Sequence, residues 1–177
     1  MLVIAALAAA CNPFIPRNTP AATPTQYPQD PRFAEFVYKS DETPTVQDRT
    51  DSVNVRWPNT KASEAHIVLE YSPALAFIPA QDPEFWLTAV ATVPDETITA
   101  LMEGATSSTL LPGIYPGLYQ YVPQDCHFST IDPTHADKTL KGDNTQVNKD
   151  FTYLPFKEIA ASHDCHLVVI TAIGLSD

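Results

Sequence analysis

The sequence predicts a mainly β domain, an antiparallel β-sandwich of the immunoglobulin-like or a related kind with one or two short helices. The first reason is proline: the chain has 17 prolines against 5 glycines, and a residue that lacks a backbone N–H does not fit the interior of long helices. The second is a series of short runs rich in aromatic and β-branched residues. Turn signals built from proline, glycine, asparagine and aspartate separate these runs.

From residue 33 onward the pattern predicts short strands, which alternate in part between apolar and polar residues. In chain order the predicted strands are 33–38, 52–57, 65–71, 85–93, 117–122, 151–156 and 166–174. Helices are predicted at 95–102, where Asp95 can cap the first turn, and at 156–161. The acidic, lysine-dotted stretch 134–150 is predicted to be a solvated hairpin or loop.

The N-terminal residues have a different character from the rest. Residues 1–10 carry no charge and are mostly apolar, but a helix needs about 20 residues to span a bilayer. Leu7-Ala8-Ala9-Ala10-Cys11 resembles the lipobox of bacterial lipoproteins, in which the cysteine is lipidated and becomes the mature N-terminus. The resemblance implies lipidation of Cys11 and a membrane-anchored, extracytoplasmic protein. The alternatives are a leader without lipid, or a buried N-terminal strand or helix with a free thiol.

The segment that follows is predicted to be a tether. Residues 12–31 contain six prolines, several threonines and no glycine. They offer too little apolar surface to offset the entropy of ordering, which favours an extended polyproline II conformation. At about 3.1 Å per residue, such a tether reaches up to roughly 60 Å. We therefore divide the chain into a partial export signal over 1–11, a tether over 12–32 and a single β domain over 33–177.

Charge limits the choice of partner. The 21 acidic and 10 basic residues give a formal net charge of −11. Affinity for nucleic acids comes largely from lysine and arginine side chains that neutralise phosphates. We therefore predict no nucleic-acid partner, and we ascribe the charge to solubility.

The tripeptide Asp-Cys-His occurs twice, at 125–127 and at 164–166. With Cys11 set aside, Cys126 and Cys165 form an even pair, and in an oxidising compartment they are predicted to form a disulfide. One alternative is a pair of unrelated free thiols. Another is a zinc site, for which the candidate ligands are Cys126, His127, His135, His163, Cys165 and His166. Their spacing matches no standard zinc frame, so we predict a disulfide and no cofactor. His66 is predicted to be an ordinary strand residue.

Catalytic motifs are absent from the sequence, which has no G-x-S-x-G elbow, phosphate-binding loop, Rossmann glycine pattern or H-E-x-x-H helix. Several glutamates could supply a carboxylate pair for glycoside hydrolysis, but their spacing selects no two of them. The sequence therefore favours a non-catalytic protein.

Tyrosines are concentrated in residues 110–123, LLPGIYPGLYQYVP. Tyr115, Tyr119 and Tyr121 lie among prolines, and tyrosines on stiff segments make good contact surfaces. The alternative is that they form part of the core and its rim.

Taken together, these features predict an accessory or structural subunit, or a binding module, of a membrane- or envelope-associated complex whose partner is a protein. A small Cys/His metal-binding protein, an extracytoplasmic hydrolase and a virion structural protein are the alternatives.

Overall fold

A computed structural model of the chain describes residues 27–73, 84–141 and 154–175. The lipobox and residues 12–26 of the predicted tether lie outside these ranges. The described residues form one antiparallel sheet of six strands, in the order β1-β2-β3-β6-β5-β4. The strands are β1 (Gln47–Asp48), β2 (Glu64–Tyr71), β3 (Glu84–Thr92), β4 (Ser129–Ile131), β5 (Phe156–Ser162) and β6 (Leu167–Leu175). The prediction of a mainly β, antiparallel fold is confirmed.

Short helices accompany the sheet. The α-helices are α1 (Thr50–Arg56), α2 (Asp95–Met102) and α3 (Pro133–Leu140), and 3₁₀ helices occur at Pro58–Thr60 and Pro116–Tyr121. No helix in the described ranges combines the length and the apolar character needed to cross a bilayer.

One face of the sheet is covered by the three α-helices. Their buried apolar side chains pack on inward-facing residues of the central strands. The helix residues are Val53, Ile98, Leu101, Ala136 and Leu140, and the sheet residues include Ile67, Leu87, Ala89, Ile159, Val168 and Ile170. Trp57, which directly follows α1, is fully buried in this core and stacks on Phe156 with ring centres 4.7 Å apart.

The opposite face is covered by chain of little regular structure, which we call the covering layer: residues 27–46 and 105–128. It buries a second apolar core against the sheet. The layer contributes Phe33, Leu111, Ile114, Leu118, Val122 and Phe128, and the sheet contributes Val68, Trp86, Val90, Ala160 and Val169. Because both faces are covered, β3 is buried from Phe85 to Ala91 without alternation.

The predicted sandwich is not confirmed, because the six described strands lie in a single open sheet. Predicted strand 33–38 belongs to the covering layer, where Phe33 forms an isolated parallel bridge with Leu111 of the same layer. Its residues pack across the sheet face rather than along an edge, because Phe36 and Tyr38 contact Trp86.

Two other predicted strands are helical. Residues 52–57 form most of α1 and the residue after it, since Val53 and Trp57, four positions apart, are both fully buried on one side while Val55 is 37% exposed. Residues 117–122 fall largely in a 3₁₀ helix that begins at Pro116, where proline already has a helical φ.

The predicted strands 65–71, 85–93 and 166–174 are confirmed as β2, β3 and β6. Of predicted strand 151–156, residues 151–153 lie outside the described ranges and Phe156 begins β5.

The helix predicted at 95–102 is confirmed as α2, although Pro94 occupies the N-cap position and no side chain caps it. The prediction of a helix at 156–161 is wrong. Those residues form β5, because hydrogen bonding to β6 on one side and to β4 on the other overrides their helical composition.

Helix α3 occupies the start of the stretch 134–150 that was predicted to be a hairpin or loop, and residues 142–150 lie outside the described part of the chain. The Asp132 side chain caps α3 by accepting a hydrogen bond from the His135 backbone N–H at 2.9 Å, and Pro133 takes the first helical position. Asp-Pro here is thus a helix start rather than a turn signal.

Candidate tyrosine surface

Hydrogen bonds to the sheet hold the tyrosine-rich part of the covering layer in place. The hydroxyl of Thr171 donates to the Gly113 carbonyl at 3.0 Å, and the Gly113 N–H donates to Glu158 Oε2 at 3.2 Å. The Tyr115 N–H donates to the hydroxyl of Thr88 at 3.3 Å. Both threonines are buried in the sheet, so these bonds also satisfy their hydroxyl groups.

Glycine is required at position 113, because a Cβ atom there would collide with the carbonyl oxygen of Glu35. The two stretches of the covering layer are in close backbone contact here. Residues on either side of this contact are therefore fixed relative to one another.

Each of the three predicted contact tyrosines is partly buried, with its ring at the rim of the second core. Tyr119 stacks on Phe33 with ring centres 4.4 Å apart. The ring of Tyr121 lies on the imidazole of His66, with centres 3.6 Å apart. Both sequence-based interpretations therefore hold in part, since the rings contact the core and also reach the surface.

Tyr115 packs edge-on against Phe36 and against Tyr27, with ring centres 5.9 and 5.7 Å apart. Burial, followed by the hydrogen bond with Tyr27, raises the pKa of Tyr115 to about 12. Burial and the nearby charge of Asp30 raise the pKa of Tyr119 as well. Both phenols therefore remain neutral hydrogen-bonding groups throughout the physiological pH range.

Two grooves flank the pair formed by Tyr27 and Tyr115. The first, which we call the amide groove, has a volume of about 550 Å³ and lies between residues 27–32 and 116–124. Tyr119 and the side chains of three glutamines, Gln29, Gln120 and Gln124, contribute to its lining.

Hydrogen bonds from Arg32 link the two sides of the amide groove. Arg32 contacts Asp30 at 2.8 Å and also donates to the carbonyl oxygens of Val122 and Pro123, at 3.0 and 2.7 Å. The hydrogen bond from Arg32 is the main cause that lowers the pKa of Asp30. Residues 27–32, the last part of the predicted tether, are thus attached to the domain.

The second groove, which we call the acidic groove, has a volume of about 580 Å³. Its aromatic lining comes from Tyr27, Phe36, Tyr38 and Tyr115, and its acidic lining from Asp41 and Glu42. It shares Tyr27 and Pro116 with the amide groove. We call the two grooves, together with Tyr121, the tyrosine surface.

The predicted disulfide between Cys126 and Cys165 is present, with Cα atoms 5.8 Å apart. It ties the end of the covering layer to the turn between β5 and β6. Beside it, His127 Nδ1 lies 2.8 Å from Asp164 Oδ2, so the aspartate of the second tripeptide contacts the histidine of the first. Hydrogen bonds from Ser162 and then from His127 hold the pKa of Asp164 well below its usual range.

The candidate ligands of the alternative zinc site do not come together. Cys126 and Cys165 are consumed by the disulfide, and the ring of His135 contacts the carbonyl oxygen of Ala100 at 2.8 Å. Within the described ranges, no three His, Cys, Asp or Glu side chains are arranged to hold a metal ion.

The remaining histidines fit this conclusion. His163 is exposed in the β5–β6 turn, and His166 contacts Asp95 at 2.7 Å. His66 lies in β2, as predicted, where its ring nitrogens contact Asp48 at 2.6 Å and Glu64 at 3.3 Å.

Part of the tyrosine surface was not predicted from the sequence. Tyr27 was assigned to the tether and residues 33–38 to a strand, and neither Asp41 nor Glu42 was predicted to belong to a contact surface. The usable signal was the density of aromatic residues at positions 27, 33, 36 and 38, which continues across the predicted boundary at residue 33.

Comparison with known protein families, with curated proteins and with solved structures finds no match for this chain.

Proposed function

We propose that this chain is a non-catalytic, lipid-anchored extracytoplasmic domain that binds a protein of a membrane- or envelope-associated complex. The observation that carries the proposal is the tyrosine surface, in which two grooves that share Tyr27 and Pro116 lie side by side and combine aromatic and proline residues with polar ones. Rigid aromatic side chains supply a large contact area at low cost in conformational entropy. The surface therefore suits binding rather than chemistry.

The position of the surface agrees with an anchored protein. Tyr27 lines both grooves, and residues 12–26 of the predicted tether directly precede it. If residues 12–26 are extended, as the sequence predicts, they separate Cys11 from Tyr27 by about 45 Å. Anchoring would confine the domain to two dimensions and raise the effective concentration of a partner in the same envelope. The disulfide supports an extracytoplasmic location, since disulfides persist in oxidising compartments.

The anchor is tested on protein isolated from its native cells. We expect mass spectrometry of the mature form to find Cys11 at the N-terminus carrying a diacylglycerol group. Recovery of Met1 to Ala10 intact and unmodified on this protein would contradict lipidation, while leaving the contact function of the domain to be tested separately.

The contact function is tested by replacing Tyr115, Tyr119 and Tyr121 together with serine. We expect the variant to be lost from the envelope complex that co-purifies with the wild-type protein, because three contact rings are removed at once. Replacement of the same tyrosines with phenylalanine keeps the rings and should preserve most of the co-purification. Circular dichroism of both variants shows whether the domain remains folded.

A second variant guards against unfolding of the first. Tyr27 is 39% exposed and Gln120 is also exposed, so Tyr27→Ser combined with Gln120→Ala should weaken co-purification without loss of the fold. Tyr71→Ser serves as the control, because Tyr71 is 55% exposed and lies at the end of β2, outside both grooves. Unchanged co-purification of a folded surface variant, or turnover of an ester, glycoside or peptide by the native protein, would overturn the proposal.

A further inference from the structure

The acidic groove differs from the amide groove in its charge. Asp41 and Glu42 are both exposed, and among the described residues neither carboxylate forms an ion pair. Glu42 also acts on a neighbour, because burial and then the charge of Glu42 raise the pKa of Glu70. Negative charge at this end of the tyrosine surface is therefore not fully compensated by the protein itself.

Tyr38, one of the aromatic residues that line this groove, already contacts a cation of the protein itself. The ammonium group of Lys157 lies 5.0 Å from the centre of the Tyr38 ring, within the range of a cation–π interaction. Trp86 stacks on Tyr38 with ring centres 5.8 Å apart, and Phe36 contacts both rings. The cluster is thus a fixed, electron-rich surface, which favours positive charge beside it.

We infer that the acidic groove receives a lysine or arginine side chain of the protein partner. The methylene stem of such a side chain packs on Tyr27, Phe36 and Tyr115, and its charged head reaches Asp41 and Glu42 at the rim. Charge complementarity selects this occupant: an apolar segment would leave the two carboxylates without a counter-charge, and an acidic segment would be repelled. The inference rests on the proposed function and names the chemistry of the partner that the surface binds.

The direct test measures binding of short capped peptides to the full chain, by nuclear magnetic resonance titration. The probes are Gly-Arg-Arg-Gly, Gly-Lys-Lys-Gly and Gly-Glu-Glu-Gly. We expect the basic peptides to shift the signals of residues 36–44 and 115–116, and the acidic peptide to leave them unchanged. Binding should weaken when salt is raised from about 0.05 M to about 0.5 M, because the rim carboxylates are exposed and become screened.

The variant Asp41→Asn with Glu42→Gln removes the rim charges while keeping side-chain size. We expect its dissociation constant for the basic peptides to rise by about tenfold, the combined effect of losing two exposed ion pairs. The matched control is Glu103→Gln with Asp125→Asn, which changes the net charge equally at exposed positions outside the groove. Its dissociation constant should stay within about twofold of wild type.

Several outcomes would overturn the inference. Equal weakening in both double variants would mean that overall charge attracts the peptides. Equally tight binding of tetramethylammonium would assign the groove to a small quaternary ammonium compound instead. If the Asp41/Glu42 variant captures the envelope partner normally while the tyrosine variants do not, the cationic ligand is wrong and the proposed function stands. If folded forms of all these variants capture the envelope partner normally, both the cationic ligand and the proposed function are wrong.

Discussion

Replacing Trp57 with alanine is expected to lower the free energy of unfolding by about 3–5 kcal/mol, the usual cost of removing a buried tryptophan side chain. Trp57 is 0% exposed, stacks on Phe156 and donates its indole N–H to the Leu154 carbonyl at 3.0 Å. It thereby joins the end of α1 to the start of β5, nearly a hundred residues away along the chain. For a domain of this size, the melting temperature should fall by roughly 10 °C or more.

Thermal or urea unfolding measures the effect, and Trp57→Phe serves as the matched control. Phenylalanine keeps an aromatic ring against Phe156 and loses the indole hydrogen bond, so it should cost about 1–3 kcal/mol. Trp57 lies on the helix-covered face, whereas the tyrosine surface lies on the other. Peptide binding by the folded alanine variant should therefore match wild type. A fall in melting temperature of less than about 3 °C would show that the core around Trp57 is misassigned.

Removing the disulfide is expected to destabilise the domain by about 3–4 kcal/mol, because the crosslink closes a loop of 39 residues and restricts the unfolded chain. The variant is Cys126→Ala with Cys165→Ala, in which alanine avoids placing a new polar group in the partly buried site. Wild-type protein treated with reductant should show a similar loss, and the double variant should not respond to reductant.

Peptide mapping without reductant should recover Cys126 and Cys165 in one linked fragment. Two free thiols titrated in unreduced, denatured protein would contradict the crosslink. Because the disulfide ties the covering layer to the β5–β6 turn, its loss should also free His127 from Asp164, whose contact depends on that approach. The pKa of the Asp164 carboxyl should then rise, but only in part, because the larger effect of the hydrogen bond from Ser162 in the same turn remains.

The strands of the sheet could be predicted where burial leaves a simple pattern. Residues 85–93 and 166–174 are mostly apolar runs without regular alternation that form the two central strands, because both sheet faces are covered. Residues 52–57 could not be assigned from alternation, since Val53, Val55 and Trp57 alternate as in a strand, yet a helix buries the first and last of them. The helix predicted at 156–161 failed for the opposite reason, because pairing with two neighbouring strands outweighed local propensity.

Only the residues of the candidate site that lie close together along the chain could be predicted. Tyr115 and Tyr119 stand close together among prolines, and their chemistry is visible in the sequence. Tyr27, Asp41 and Glu42 join them only because residues 27–46 fold over the same sheet face, held by the contact at Gly113. A local sequence pattern does not show which distant residues fold together.

The pairing of Cys126 with Cys165 could be predicted, because with Cys11 set aside each cysteine had only one possible partner.

The position of β6 in the sheet has a consequence for the order of assembly. It is the last described strand along the chain, yet it lies between β3 and β5. Before residues 167–175 emerge during synthesis, β1–β3 and β4–β5 are two separate half-sheets with exposed edges. Cys165 is made just before β6, so the disulfide with Cys126 also forms late. The two halves of the sheet therefore cannot join until this last described strand has been made, so the pairing that completes the sheet comes late in folding.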